Sequence, residues 1–147
     1  MSAEESLSRE HVKLEKYAKD IDIEARLLLE MVETQIVPAG LQYQNRVAEA
    51  VRGLKELLPS ESALQTQRQL LRDVASHIDR ASKGAAELRL AVARAEREKD
   101  GAPRARFFCR SVKPLFGTIR EAVDGLEGLV DADLWPLPKY REMLFLL

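Results

Sequence analysis

The sequence predicts an all-α protein, an elongated antiparallel bundle of three to four helices that ends in an extended C-terminal tail. Apolar residues recur at helical spacing through most of the chain, and the alternation and tight turns typical of strands are absent. The chain has 147 residues, of which 46% are hydrophobic, 32% charged and 5% aromatic. This composition is that of one folded domain of modest size rather than of a disordered chain.

The clearest helical pattern covers residues 64–95. Apolar or small residues recur there at steps of three and four, and Gln67 is the one polar interruption. Such a repeat predicts a long helix with a narrow buried seam, whose partner helices lie elsewhere in this chain or on another chain. Gly84 lies within this helix and indicates a close helix approach. The seam positions are Leu64, Leu71, Val74, Ile78, Ala81, Ala85, Leu88, Val92 and Ala95.

Two further helical segments flank this one. We predict a flexible N-terminus at 1–9 and a single bundle domain at 10–147, with helices at about 10–37, 39–58, 61–100 and 103–131. Leu27, Leu29 and Met31 widen the apolar stripe of the first helix, which predicts burial on more than one side. Gly101 is expected to end the third helix.

Pro38 and Pro114 lie inside otherwise helical patterns. Proline lacks a backbone donor and its ring clashes with the preceding turn, so we expect a kink in the first and third segments. The first kink is expected at residues 37–40, where a short break is also possible.

The tail at 132–147 contains Trp135-Pro-Leu-Pro, in which two prolines one residue apart favour an extended segment. So many apolar residues would be a liability in a mobile tail, so we expect docking on the bundle or on a neighbouring subunit. An alternative is a proline-rich ligand for an aromatic groove, although a PxxP frame is missing. The candidate docking residues are Trp135, Pro136, Pro138, Tyr140, Leu144 and Phe145.

Charge and cysteine content exclude several classes of protein. The net charge of −1 gives no global reason to expect nucleic acid or an anionic membrane as a partner. The single cysteine, Cys109, excludes an internal disulfide framework and fits a reducing compartment. No signal peptide and no apolar run of membrane-spanning length is recognisable, so we expect a cytoplasmic protein without a membrane partner.

No catalytic, cofactor-binding or metal-binding residues are predicted. His11 and His77 lie far apart, and neither metal-ligand spacings nor a glycine-rich phosphate loop occur. A structural or solvated role is favoured for His77. Cys109 lies among three arginines that could make its thiol reactive, but a semi-buried structural position is the favoured interpretation. Asp131 and Asp133 could bind a cation weakly, although two carboxylates at this spacing are common by chance.

A basic cluster with two adjacent phenylalanines could suit nucleic acid or a nucleotide. Glu96, Glu98 and Asp100 interleave with its cations, which favours a solvated hairpin rich in salt bridges. Nucleic-acid binding by residues 94–113 therefore stays a minor hypothesis. The basic residues are Arg94, Arg97, Lys99, Arg104, Arg106, Arg110 and Lys113.

Two stretches resemble a known family. The first, at 16–44, contains Asp22-Ile-Glu-Ala25 and Ile36-Val-Pro-Ala39, and the second, at 134–145, reads Leu-Trp-Pro-Leu-Pro-Lys-Tyr-Arg-Glu-Met-Leu-Phe. In order and spacing they resemble the C-terminal helical region of type III glutamine synthetases, the large form of that enzyme. Met143 replaces a leucine of the family's tail, and Asp22 replaces an asparagine. The tail motif is the specific part of the resemblance, because any helical bundle would match the middle.

The resemblance implies a non-catalytic domain. The family makes glutamine from glutamate, ammonia and ATP with Mg²⁺ or Mn²⁺, and its active site belongs to an upstream β-rich domain. No catalytic residue or cofactor site is therefore carried over to this chain. The implied role is packing on the catalytic body or on neighbouring subunits of a homo-oligomer. The alternative is a free-standing helical adaptor or regulatory protein that binds a protein partner through its tail.

Overall fold

Helices account for almost all of the chain that the structure describes. The computed structural model describes residues 3–57 and 61–139, and these residues contain no strand, which confirms the all-α prediction. A 3₁₀ turn at Glu61–Leu64 leads into the third helix, and π turns lie at Val32–Ile36 and Phe108–Val112. The α-helices are α1 (Ala3–Met31), α2 (Val37–Leu57), α3 (Gln65–Ala95), α4 (Ala102–Phe107) and α5 (Lys113–Leu129).

These elements form three long helical segments. The first runs from α1 through a π turn into α2, the second is α3, and the third runs from α4 through the other π turn into α5. Gly40 lies against Ile78, and Arg26 pairs with Glu96, so the first segment is antiparallel to α3. At about 1.5 Å per residue the first segment is roughly 80 Å long, which gives the bundle its elongated form.

The third segment returns along α3 in the opposite direction. Gly84 lies against Ile119, and Gly125 lies against His77 further along both helices. The first and third segments are therefore parallel to each other, with α3 antiparallel to both.

The three segments are staggered, and the helical residues that the structure describes beyond the end of α5 belong to α2 and to the start of α3. Arg46 of α2 pairs with Asp131, directly after α5, at 3.4 Å. Beyond this point α2 and α3 continue as a pair, which we name the α2–α3 arm (residues 47–57 and 61–73). Within the arm Leu64 is fully buried, whereas Val47, Val51, Leu54 and Leu70 are half-buried.

The core is built around α3, as the seam predicts. Large and small residues alternate along its buried face, and the small ones let neighbouring helices approach closely. Gln67 is half-buried, and its amide oxygen accepts no hydrogen bond within the part of the chain that the structure describes. The buried residues of α3 are Val74, Ile78, Ala81, Gly84, Ala85, Leu88, Val92 and Ala95.

The prediction of a break at residues 37–40 is wrong, and the helix departs from α-geometry upstream instead. In each π turn the hydrogen bond spans five residues: Val37 donates to the carbonyl of Val32, and Lys113 donates to that of Phe108. The wider turn places each proline in the first turn of the α-helix that follows, where its missing N–H costs least. The bend expected at Pro38 and Pro114 stays a prediction.

Two helix limits also differ from those expected. The first helix begins at Ala3 rather than near residue 10, and α3 ends at Ala95 rather than near residue 100. A turn follows α3 and reaches Gly101, which has a φ of 83° and precedes α4. Gly101 thus has the positive φ expected of a helix stop, one turn after the helix itself has ended. None of the helices in the described ranges is long and apolar enough to cross a membrane.

Replacing Gly84 by alanine tests the close approach of α3 and α5. A Cβ atom at Gly84 would lie 2.7 Å from Cγ1 of Ile119, a fully buried side chain. Overpacking of this kind costs about 1–3 kcal/mol, more than the roughly 1 kcal/mol that alanine gains over glycine in a helix. We expect Gly84→Ala to lower the free energy of unfolding by up to about 2 kcal/mol in urea denaturation.

Gly117→Ala is the matched control, because no atom lies within 4 Å of a Cβ at that position of α5. It should raise stability by up to about 1 kcal/mol. Equal effects of the two substitutions would contradict the close approach.

Candidate interaction surfaces

The start of the tail packs on the chain's own bundle. Trp135 is 7% exposed and belongs to the hydrophobic core, with Leu134 and Leu137 partly buried against it. The backbone N–H of Trp135 donates to the carbonyl of Asp131 at 3.0 Å, which closes a turn after α5. Pro136 and Pro138 are exposed, so the two prolines lie on the surface beside a buried tryptophan.

Asp131 organises this turn. One carboxylate oxygen accepts a hydrogen bond from the backbone of Asp133 at 3.1 Å, and the other pairs with Arg46. Nζ of Lys139 donates to the carbonyl of Val130 at 2.8 Å, so the chain returns to the end of α5. Both oxygens of Asp131 thus have protein partners, which favours a structural role over the weak cation site. Of the predicted docking residues, Tyr140, Leu144 and Phe145 lie outside the described residues.

Three exposed apolar residues lie on the outside of α1. Val12, Ile23 and Leu27 are 60%, 55% and 54% exposed, and their spacing places them on one face of the helix. We name these three residues the α1 stripe. Leu29 is buried as predicted, but Leu27 is not. The apolar width of this helix therefore exceeds what the bundle itself covers. That width is visible in the sequence, but the sequence does not show which part of it the bundle leaves exposed.

A groove of about 430 Å³ lies where α1 meets the turn before α4, and ion pairs run along it. Arg26 donates to Asp22 at 3.0 Å and also to Glu96, and these two hydrogen bonds raise the pKa of Arg26. The guanidinium of Arg104 donates to the carbonyls of Glu96 and Glu98 at 3.2 and 3.0 Å, and pairs with Asp100.

This arrangement agrees with the salt-bridged hairpin expected of the basic cluster, because Arg104 is held by the hairpin's own backbone. Four carboxylates line the groove, namely those of Glu15, Asp22, Glu96 and Asp100, and they would repel a phosphate. The described residues contain no group of three or more histidines, cysteines or acids that could hold a metal ion. The donors required by a metal–nucleotide site are therefore not assembled in this part of the chain.

His77 and Cys109 have structural neighbours. The imidazole of His77 packs on Gly125, where a Cβ atom would come within 2.3 Å of the ring, and its Nδ1 is shielded from solvent. The prediction that Cys109 is semi-buried is wrong, because its side chain is exposed, beside Tyr17 of α1. A hydrogen bond with the Cys109 sulfur, followed by burial and by the charge of a thiolate, raises the pKa of Tyr17.

Comparison with known proteins settles the resemblance. A family model described as the glutamine synthetase C-terminal domain matches residues 1–55. A glutamine synthetase of Bacteroides fragilis (strain YCH46) is 31% identical over 140 residues, which are 93% of this chain and 19% of that protein. The chain is similar to the C-terminal region of type III glutamine synthetases. The type-3 glutamine synthetase of Dictyostelium discoideum is 30% identical over 149 residues, covering 99% of the chain and 20% of that protein.

The chain therefore spans about a fifth of the length of the curated glutamine synthetases that it matches. The stretch at 16–44 lies inside the match to the glutamine synthetase family model, whereas the Trp-Pro-Leu-Pro tail lies beyond it. The matches to the two relatives cover almost the whole chain. The likeness thus extends past the first helical segment into α3 and the third segment.

Replacing Trp135 tests how strongly the start of the tail is held. Removing a buried tryptophan side chain costs about 3–5 kcal/mol, so Trp135→Ala should lower the free energy of unfolding by that amount. The measurement is urea denaturation followed by circular dichroism at 222 nm, since the variant lacks the only tryptophan.

Pro136→Ala is the neighbouring control, because Pro136 is exposed. It should change stability by no more than about 0.5 kcal/mol. A Trp135→Ala variant as stable as this control would show that the tail contributes nothing to the core.

Proposed function

We propose that this chain acts as a non-catalytic C-terminal helical domain of the type III glutamine synthetase kind. Its task would be to pack on a catalytic body or on neighbouring subunits of a homo-oligomer. One observation carries the proposal: nearly the whole chain matches two glutamine synthetases, and the match covers only about a fifth of each of them. The remaining four-fifths of those proteins have no counterpart in this chain, and the ligase chemistry would reside there.

The surface of the bundle supports a packing role. The three residues of the α1 stripe are more than half exposed, although removal of each such side chain from water would be favourable by about 1.5–3 kcal/mol. An exposed apolar face of this kind suits packing on a catalytic domain or on a neighbouring subunit. The stripe lies on the outside of the first segment and is separate from Trp135, which the bundle itself already buries.

We also propose that this chain has no catalytic role. At this groove Arg26 pairs with Glu96 across two segments and Arg104 pairs with Asp100 in its own turn, and the described residues assemble no metal-ligand set. We therefore assign no step of glutamine synthesis to this chain, and no ATP or divalent cation to its groove.

An activity assay tests this proposal. The chain alone, incubated with glutamate, ammonia, ATP and Mg²⁺, should form no glutamine, and repeating the assay with Mn²⁺ should change nothing. A full-length type III glutamine synthetase under the same conditions is the positive control. Turnover by the chain alone would overturn the non-catalytic assignment.

A free-standing adaptor that binds through its tail is the second candidate, and the exposed prolines beside buried Trp135 are the observation that favours it. Deleting residues 131–147 would not test it cleanly, because Trp135 belongs to the core. Exchanging Pro136 and Pro138 together for alanine alters only exposed positions.

Size-exclusion chromatography separates the two candidates when the chain is mixed with a type III synthetase that lacks its C-terminal domain. A packing domain should co-migrate with that protein whether or not the two prolines are exchanged. Co-migration that is lost in the proline variant, at unchanged circular dichroism, would favour the adaptor. No co-migration of the unaltered chain would contradict the packing role.

A further inference from the structure

The first half of the third helical segment is positively charged. Residues 101–120 contain five cations and no acidic residue, whereas the chain as a whole has 23 cations and 24 acidic residues. Two of the five have partners, since Arg104 pairs with Asp100, and Arg120 lies 3.8 Å from Asp124. The others form no ion pair within the part of the chain that the structure describes. They are Arg106, Arg110 and Lys113.

These three residues, which we name the basic face, lie together on the surface. Arg106 is in α4, Arg110 is in the π turn and Lys113 begins α5, and all three are exposed. Their intervals of four and three place them on one side of the segment, within about 10 Å along its axis. The buried residues of the same stretch are Ala105, Phe108 and Val112. The basic face therefore lies on the outside of the bundle.

No carboxylate of the described chain neutralises this face. Elsewhere the bundle pairs arginines with acids of another segment, as Arg89 pairs with Glu33. Beside the basic face, Tyr17 of α1 lies next to Cys109. Asp20, one turn further along α1, is exposed and forms no ion pair within the described residues. Like charges at this spacing repel one another, so a partner that supplies carboxylates would be attracted to the face.

Nucleic acid and membranes fit the face poorly. Phe108 is 3% exposed and Phe107 is half-buried, so neither ring is free for a base to stack on it. Three cations within about 10 Å also meet fewer phosphates than the roughly six to ten of a salt-sensitive DNA binder. In the described part of the third segment no large apolar side chain is exposed for insertion into lipid.

Protein carboxylates fit the face better, because the planar guanidinium fork of arginine matches a carboxylate with two hydrogen bonds. We propose that the basic face docks on a patch of carboxylates on the catalytic body of a type III glutamine synthetase. This contact rests on the proposed function and adds to it the charge of the partner surface. The α1 stripe would supply apolar burial, whereas the basic face would steer the approach and fix the orientation.

A charge-matched pair of variants tests the contact. Sedimentation velocity at 50 mM NaCl would compare the unaltered chain with Arg106→Gln/Arg110→Gln for binding to a type III synthetase that lacks its C-terminal domain. Exposed ion pairs are worth up to about 1 kcal/mol each, so binding should weaken about three- to tenfold. The control is Arg52→Gln/Lys55→Gln, which removes the same charge from two exposed positions of α2 and should bind like the unaltered chain.

Salt and a conservative variant show whether charge is the cause. At 300 mM NaCl the difference between the unaltered chain and the glutamine variant should shrink, because exposed pairs are screened. Arg106→Lys/Arg110→Lys keeps both charges and should bind more tightly than the glutamine variant. Circular dichroism should be the same for all variants, since the substituted side chains are exposed.

The outcomes separate this contact from the proposed function. No binding by the unaltered chain would contradict the proposed function and the contact together. Binding that the glutamine substitutions leave unchanged, or weaken no more than the α2 control does, would overturn the basic face alone. Fluorescence anisotropy with a labelled 20-base-pair duplex at 50 mM NaCl should show no binding. Duplex binding that is lost in Arg106→Gln/Arg110→Gln would assign the face to nucleic acid and overturn the proposal.

Discussion

Close contact between α3 and its two neighbours is the constraint on which the rest of the structure depends. At Gly40 and Gly84 the facing side chains, Ile78 and Ile119, occupy the space that a Cβ atom would need. Because a glycine has no Cβ atom, the neighbouring backbones approach closely at these points. Ile78 and Ile119 can then fill the interior at the packing density of a protein core. These contacts fix how the first and third segments lie against α3.

The two π turns explain how a chain with prolines inside its helices keeps this contact. Each π turn ends two residues before a first-turn proline, at Pro38 and at Pro114. The backbone therefore accommodates both prolines without leaving the helical path, and Gly40 can still face α3. π turns are frequent at functional sites, but here a packing explanation is sufficient, since Val32, Ile36, Phe108 and Val112 are all buried.

The sequence predicted the features that depend on local chemistry. The seam of α3, the positive φ of Gly101 and the close approach at Gly84 follow from periodicity and from the properties of glycine. Register between helices does not, because a heptad pattern says which face is buried and not which residues meet across it. The two-helix arm was therefore not foreseen. The π turns were missed because the usual effect of an internal proline is a kink or break.

The exposure of the α1 stripe could not be predicted for a related reason. A broad apolar stripe on a helix indicates that two sides are buried, but it does not show whether both partners are in the same chain. The bundle buries Leu29 and leaves Leu27 more than half exposed. The chain matches only about a fifth of each glutamine synthetase, and this side of α1 is exposed. Both facts support the proposed packing role.

The most direct test of that role is to weaken the α1 stripe and measure association. Sedimentation velocity would compare this chain, an Ile23→Ser/Leu27→Ser variant and a Leu90→Ser control for binding to a type III synthetase that lacks its C-terminal domain. Leu90 is 60% exposed on α3 and lies outside the stripe. We predict that the chain and the control bind alike and that the double variant binds about tenfold more weakly or worse. Binding by the double variant equal to that of the unaltered chain would contradict the assignment of the stripe as the packing surface.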